Sequence, residues 1–217
     1  MAHNNLIPLL DFDSTRGVIE DKTGKNVLTN SNVVVKKTGR VYSAYFKGTS
    51  TSITTNYNLG FSSPLVINSW AKRVGNYIDV NIIDTQNKVT TNAGITIRLF
   101  NNTVSSGDQL IVYYNSGANN NISYHPNTSF LRGFNNFVFF FTINTLFIFI
   151  NGIQVTTMAI PLSSGYSNSN NLVVGDSLGT VAATNSYISK IQIYKGLPNN
   201  INQFAAQTYN SQKWQFL

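Results

Sequence analysis

Asp11 and Asp13 stand two residues apart in the segment LLDFD, so an extended chain presents both carboxyls on one side. Paired carboxylates are the working parts of a glycosidase, and a retaining enzyme holds them about 5 to 5.5 Å apart. Here the pair falls in the first predicted strand rather than in one that lines a groove. The single glutamate, Glu20, falls in a predicted loop. The pair reads as turn-fixing, a common use of Asp beside a polar stretch. His3 lies near the start and His125 precedes Pro126; neither has a serine in a nucleophile-elbow setting. The absence of cysteine removes thiolate nucleophiles, disulfides and thiolate metal sites. The residues therefore predict a protein that is not an enzyme, with no catalytic residues.

A different chemistry is better supplied. Tyr113, Tyr114, Tyr124, His125 and Tyr166 lie in or beside Asn- and Ser-rich segments. Aromatic faces beside amides and hydroxyls are what a carbohydrate-binding site uses, each ring offering an apolar body and a polar tip. The same tyrosines could instead half-bury at strand ends with wet hydroxyls.

The formal charge of +7 favours acidic partners. The basic residues are nevertheless scattered, Lys36-Lys37 and Lys72-Arg73 being the only adjacent pairs, and no basic run carries interleaved aromatics. Nucleic acid is not an expected partner. Membrane insertion is not expected either: the apolar run in Phe134 to Thr157 is continuous over about 14 residues, short of the roughly 20 a spanning helix needs. The N-terminal MAHNNLIPLLDF shows no secretory signal, and the sequons at Asn101, Asn121 and Asn127 are the chance product of an Asn-rich chain. No linker, repeat or composition shift divides residues 1–217, which predicts one domain.

Residue alternation supplies the framework. FNNFVFFFTINTLFIFINGIQVTT, Phe134 to Thr157, predicts a three-strand meander, with turns at Asn144-Thr145 and at Asn151-Gly152, a favoured type I′ pair. Phe137, Phe139, Phe141 and Ile143 share one face, while Val138, Phe140, Phe147 and Phe149 load the other and need a cover. Further strands are predicted at Ile7–Phe12, Asn32–Lys37, Val41–Lys47, Ser52–Thr55 and Leu65–Val74, the last with one end in water. Asp13 to Asn26 and Tyr57 to Ser63 read as turns or loops. Tyr77–Thr85, Gly94–Phe100, Gln109–Asn115, Ile122–His125, Leu172–Gly175 and Ser186–Tyr194 continue the strand series. Pro198 to Asn210 predicts a helix, with Ile201, Phe204, Ala205 and Tyr209 on one face, packed on the sandwich edge.

Taken in order, these segments resemble the concanavalin A-like, laminin-G-like jelly-roll family. VYSAYFKGTSTSITT is similar to its early "yFdG…y" strand and FSSPLVINSWAKR to its "ftiefWvk" strand, with Trp70 as the Trp. FNNFVFFFTINTLFIFINGIQV resembles the family hairpin, LVVGDS its "l.iG", and SYISKIQIYKGLPNNINQFAAQTYN its closing strand and helix. Phe134 or Phe137 stands where the family usually has Trp, and Lys190 where it often has an acid. The resemblance covers Leu6 to Asn210 and implies an all-β, two-sheet antiparallel jelly-roll sandwich with one short C-terminal helix. It also implies calcium as a candidate cofactor, with Asp13, Asp21 and Asp176 as the available oxygen donors, although none lies in a spaced ligand loop.

The functional expectation is a structural or adhesion module of a virion surface, a bacteriophage capsid or tail protein made in the host cytoplasm without a signal peptide. Its partners would be other virion proteins or copies of itself, together with host-surface glycans. The alternative is a stand-alone lectin of a cellular microbe.

Overall fold

Strands with apolar residues at alternate positions close a core by stacking sheets face to face. The computed structural model shows two such sheets, and it describes residues 6–48, 51–59, 64–74, 79–85, 94–102, 107–115, 119–125, 133–160, 170–175 and 184–216. In chain order the first strands are β1 (Ile7–Asp13), β2 (Glu20–Asp21), β3 (Leu28–Ser31), β4 (Val34–Thr38), β5 (Val41–Gly48) and β6 (Ser52–Asn58). Next come β7 (Leu65–Arg73), β8 (Asp79–Asp84), β9 (Gly94–Asn102), β10 (Gly107–Asn115) and β11 (Asn119–Tyr124). The meander is β12 (Asn135–Phe141), β13 (Thr145–Ile150) and β14 (Ile153–Ala159). Then follow β15 (Asn171–Val174), β16 (Thr184–Lys195) and the helix α1 (Ile201–Phe216).

Sheet A runs β14-β13-β12-β7-β16-β1-β2, with β5 also on β16 and β4 on β5; sheet B runs β11-β10-β9-β8-β15-β6-β3. This is the predicted two-sheet antiparallel jelly-roll sandwich with a C-terminal helix. The 12 residues of β16 serve two neighbours along one side, Lys190 to Lys195 pairing with β1 and Thr184 to Ile188 with β5. Ser189 sits at the change-over: its carbonyl accepts from Ser14 N at 3.0 Å and its hydroxyl meets Ser43 Oγ at 2.6 Å. Ser14 Oγ in turn accepts from Ala44 N. These buried serines satisfy backbone groups at the point where the ladder changes partner.

The meander organises the core. Asn151 and Gly152 have φ of 53° and 81°, as a type I′ turn requires. Phe137, Phe139 and Phe141 point between the sheets with Leu146, Ile148 and Ile150. Val138, Phe140 and Phe149 point the other way, beside Val66. Each such side chain contributes about 1.5 to 3 kcal/mol when buried, so both faces of these strands must be covered.

The second cover is α1. Phe204 and Ala205 lie on the outer apolar patch, with Phe204 edge-on to Phe140 at 5.8 Å. Asn200 caps the helix, its Oδ1 accepting from Gln203 N at 2.9 Å. Gly152 lets the helix approach the meander: a Cβ there would stand 3.2 Å from Ala206 Cα and from Tyr209 Cβ. The helix therefore packs on the outer face of sheet A and not on the sandwich edge, and it extends six residues past Asn210. The extension is held by Phe216, whose ring stacks on Trp70 at 4.3 Å.

Other differences from the sequence expectation have local causes. Ile143 does not join the Phe137 face; it is 63% exposed in the turn that Thr142 and Thr145 close through their mutual hydrogen bonds. The C-terminal end of β7 does not face water, because Arg73 points into the sandwich and Trp70 lies under the helix, each 1% exposed. Glu20-Asp21 and Leu28–Ser31 form short strands within or beside the predicted turn region, and β6 runs on to Asn58.

Gly175 tests the packing. It has φ of +88°, and a Cβ there would fall 2.0 Å from Phe46 Cδ1. Gly175→Ala is expected to lose about 2 to 5 kcal/mol of unfolding free energy in urea titration, from overpacking plus left-handed strain. The loss should shrink in a Phe46→Ala background.

Candidate functional site

Register decides where the predicted carbohydrate-binding residues point. Leu110, Val112 and Tyr114 are core residues of β10, and Tyr124, paired with Leu110, packs against the same core. Tyr114 is 5% exposed, so its ring is spent on the core and does not line a surface site. Tyr113 lies on the opposite, outer face of sheet B, where it hydrogen-bonds Arg98. His125 is exposed just beyond β11. Tyr114 and Tyr124 therefore turn toward the core and Tyr113 to the outer face, with His125 beyond the strand end; Tyr166 lies outside the described residues.

The acidic candidates are committed to local structure. Asp13 Oδ1 accepts from Thr15 N at 2.7 Å and Thr15 Oγ1 at 2.6 Å, and its Oδ2 pairs with Lys22. Asp21 accepts from Asp11 N, Thr23 and Asn26. For both carboxyls burial pushes the pKa up, but the donated hydrogen bonds outweigh it and hold it below the usual value. Their stabilisation is present above the unfolded pKa and fades as pH falls through the lower folded one. Asp176, the third calcium candidate, lies outside the described residues.

A well-formed concavity lies elsewhere, on the outer face of sheet A. A straight helix laid on a twisted sheet leaves a cleft of about 510 Å³ along one side of α1. Gln192 and Tyr194 of β16 form its floor, Gln207, Thr208, Ser211 and Gln212 its helix wall, and Leu6 and Phe204 its apolar ends. Gln212 Oε1 accepts from Trp70 Nε1 at 2.7 Å, which fixes that wall to the sheet. Burial and the nearby Asp11 charge push the Tyr194 phenol up to about 12, so it remains a donor.

Beneath the cleft runs a row of amides. Asn136 Nδ2 donates to Asn68 Oδ1 at 2.6 Å, Asn68 Nδ2 donates to Gln192 Oε1 at 2.9 Å, and Gln192 bonds the Asp11 carboxyl. Each amide is polarised by the next, which strengthens the row. Asp11 Oδ1 is buried without a hydrogen-bond donor. Burial pushes the Asp11 carboxyl up, against the pull of Lys190 and the Gln192 hydrogen bond. Three glutamine amides, two hydroxyls and a phenol suit an uncharged, hydroxyl-rich ligand. Sequence reasoning did not find this cleft, whose residues come from segments far apart in the chain.

No protein-family model matches the sequence, and neither does any curated protein. Solved structures do match. The receptor-binding domain of botulinum neurotoxin D has a TM-score of 0.74 at 12% identity, covering 94% of this chain and 52% of that one. The binding domain of Paraclostridial Mosquitocidal Protein 1 gives 0.73 at 14%, over 96% and 52%. A botulinum neurotoxin type C structure gives 0.71 at 15%, over 96% and 51%. At these identities the likeness shows the fold, and the chain spans about half the length of the structures it matches.

The raised Asp11 pKa has a checkable sign. A native state that favours the protonated carboxyl loses stability as pH rises from the unfolded value of 3.8 through the higher folded one. Asp11→Asn is expected to raise the melting temperature at neutral pH and to leave it unchanged near pH 3. A lowered melting temperature at neutral pH would show that ionised Asp11 stabilises the fold.

Proposed function

We propose that this chain is a non-enzymatic carbohydrate-recognition module that holds a sugar unit in the cleft between α1 and sheet A. The cleft carries the reading: its wall offers amide and hydroxyl groups able both to donate and to accept, which is what a ring bearing several hydroxyls requires. Among the described residues Asp11 is the one carboxyl beside it, and general acid and base work on a glycosidic bond needs two. The structural neighbours support the same reading. One is a binding domain in complex with SialylT, and cell entry of the type C neurotoxin depends on interaction with two ganglioside molecules.

Gln207→Ala combined with Ser211→Ala removes two wall groups from the surface of α1 without touching the core. On a glycan array followed by calorimetry, the wild-type chain is expected to bind a defined oligosaccharide, and the double variant to bind it about tenfold more weakly at an unchanged melting temperature. Saturable glycan binding that the double variant retains in full would move the site away from the cleft.

Display on a virion surface, with other virion proteins or copies of itself as partners, is the narrower form of this proposal. The apolar outer face of β12 and β13 does not supply an argument for it, because α1 already covers that face. What supports it is the outer edge of β14, IQVTTMA, which carries no charged residue to discourage pairing with another strand. Light scattering should then give a defined oligomer, and a strict monomer that binds sugar would favour the stand-alone lectin.

A further inference from the structure

On the other side of Trp70 from the cleft, aromatic rings continue across the outer face of sheet A. Tyr209 stacks on Trp70 at 5.9 Å, Trp70 on Phe216 at 4.3 Å, and Phe216 meets Phe134 at 5.1 Å. Phe134 then meets Tyr187 at 6.5 Å and Tyr187 meets Tyr45 at 4.8 Å. The stripe thus crosses from α1 to β5.

Its cations are held in an unusual way. Lys36 Nζ sits 3.9 Å from the centre of the Tyr45 ring and Lys213 Nζ 5.3 Å from that of Tyr209, one at each end of the stripe. Lys72 stands directly across from Tyr187 in the ladder, hence on the same face. Rings position the Lys36 and Lys213 ammonium groups where carboxylates usually would. The strands and helix that build this face, β4, β5, β7, β16 and α1, contain no Asp or Glu and eight Lys or Arg, of which Arg73 points into the sandwich and away from this face. Lys190 differs from the rest, since its charge faces Asp11.

We propose that this lysine-flanked stripe is a second binding surface and that its ligand is an acidic oligosaccharide, bearing carboxylate or sulfate groups. The proposal rests on the carbohydrate reading of the chain and adds both a charge class and a location. Anionic groups match the two ring-held ammoniums, Lys36 and Lys213, together with Lys72 beside Tyr187, and the half-buried rings of Tyr45, Phe134 and Tyr187 offer an apolar bed for sugar C–H faces. A single-stranded nucleic acid is the competing occupant, and the competition arm of the test separates the two.

The test is an array that pairs acidic oligosaccharides with their neutral counterparts, sialylated against desialylated and sulfated against unsulfated, followed by titration at low salt and at about 0.5 M salt. The acidic member of a pair is expected to bind about tenfold more tightly at low salt, with the gap closing at high salt. Lys36→Ala with Lys72→Ala should erase the gap while leaving neutral binding in place. Tyr45→Ala should weaken the acidic member, and Tyr45→Phe should restore it.

Equal binding of the two members, or a gap that survives the lysine replacements, would overturn this proposal and leave the cleft reading standing. Competition by oligo-dT or by phosphatidylserine vesicles that exceeds that of the acidic glycan would also overturn it. If no oligosaccharide binds at all, the carbohydrate reading fails and this proposal with it.

Discussion

The structure depends on strands that are apolar on both faces. In β12 every residue from Asn136 to Phe141 is buried, and β7 is buried at all but one of its nine positions. A sheet in a two-layer sandwich has only one face covered by its partner, so sheet A needs a third layer. The helix α1 is that layer, and its constraints extend outward from the contact. Gly152 must lack a Cβ so that the helix can approach, Asn200 must cap it, and Phe216 must close over Trp70. A rigid cylinder on a twisted surface cannot touch everywhere. The cleft beside Gln192 and Tyr194 is the geometric remainder of covering Phe140 and Val138, and its polar lining follows from its contact with water.

Much of this was legible in the chain because alternation and turn chemistry are local. The meander from Phe134 to Thr157 carries two-face loading in its own residues, and the Asn151-Gly152 turn carries its own φ requirement. The two-residue β2 and four-residue β3 have too few positions to show a period, and they form because β1 and β6 offer them edges. The helix beyond Asn210 was illegible for another reason. Gln212 and Phe216 stay helical through Trp70, about 140 residues away, and no local propensity announces such a contact. The tyrosines are the sharpest case. Adjacent residues in a strand point opposite ways, so Tyr113 and Tyr114 turn their rings to different faces of sheet B. That Tyr124 packs against the core on the side of Tyr114 follows only from its pairing with Leu110.

Charge placement follows the same architecture. Asp13 and Asp21 fasten the β1 to β2 turn, and their oxygens are filled by Thr15, Lys22, Thr23 and Asn26. Asp11, one strand position from the core, is instead partly buried beside the cleft, where Lys190 and Gln192 only partly compensate it. Lys190 occupies a position where resembling proteins often carry an acid. Here an acid would face Asp11 and raise the penalty further, whereas lysine offsets it. A partly buried carboxyl whose pKa burial raises, beside the cleft floored by Gln192 and Tyr194, is the kind of local conflict that functional sites tolerate.

Both candidate binding surfaces hang on one anchor. Gln212 forms part of the cleft wall and bonds Trp70; Phe216 and Tyr209 carry the stripe and stack on Trp70. Anything that loosens α1 from sheet A disturbs the two together, because each has one wall fixed through that indole, Gln212 in the cleft and Tyr209 and Phe216 in the stripe. A ligand that binds either one therefore stabilises the docked helix, by linkage, in proportion to its preference for the docked state. The helix that completes the core as a third layer thus also ties the two candidate surfaces to one another through Trp70, with no moving part required between them.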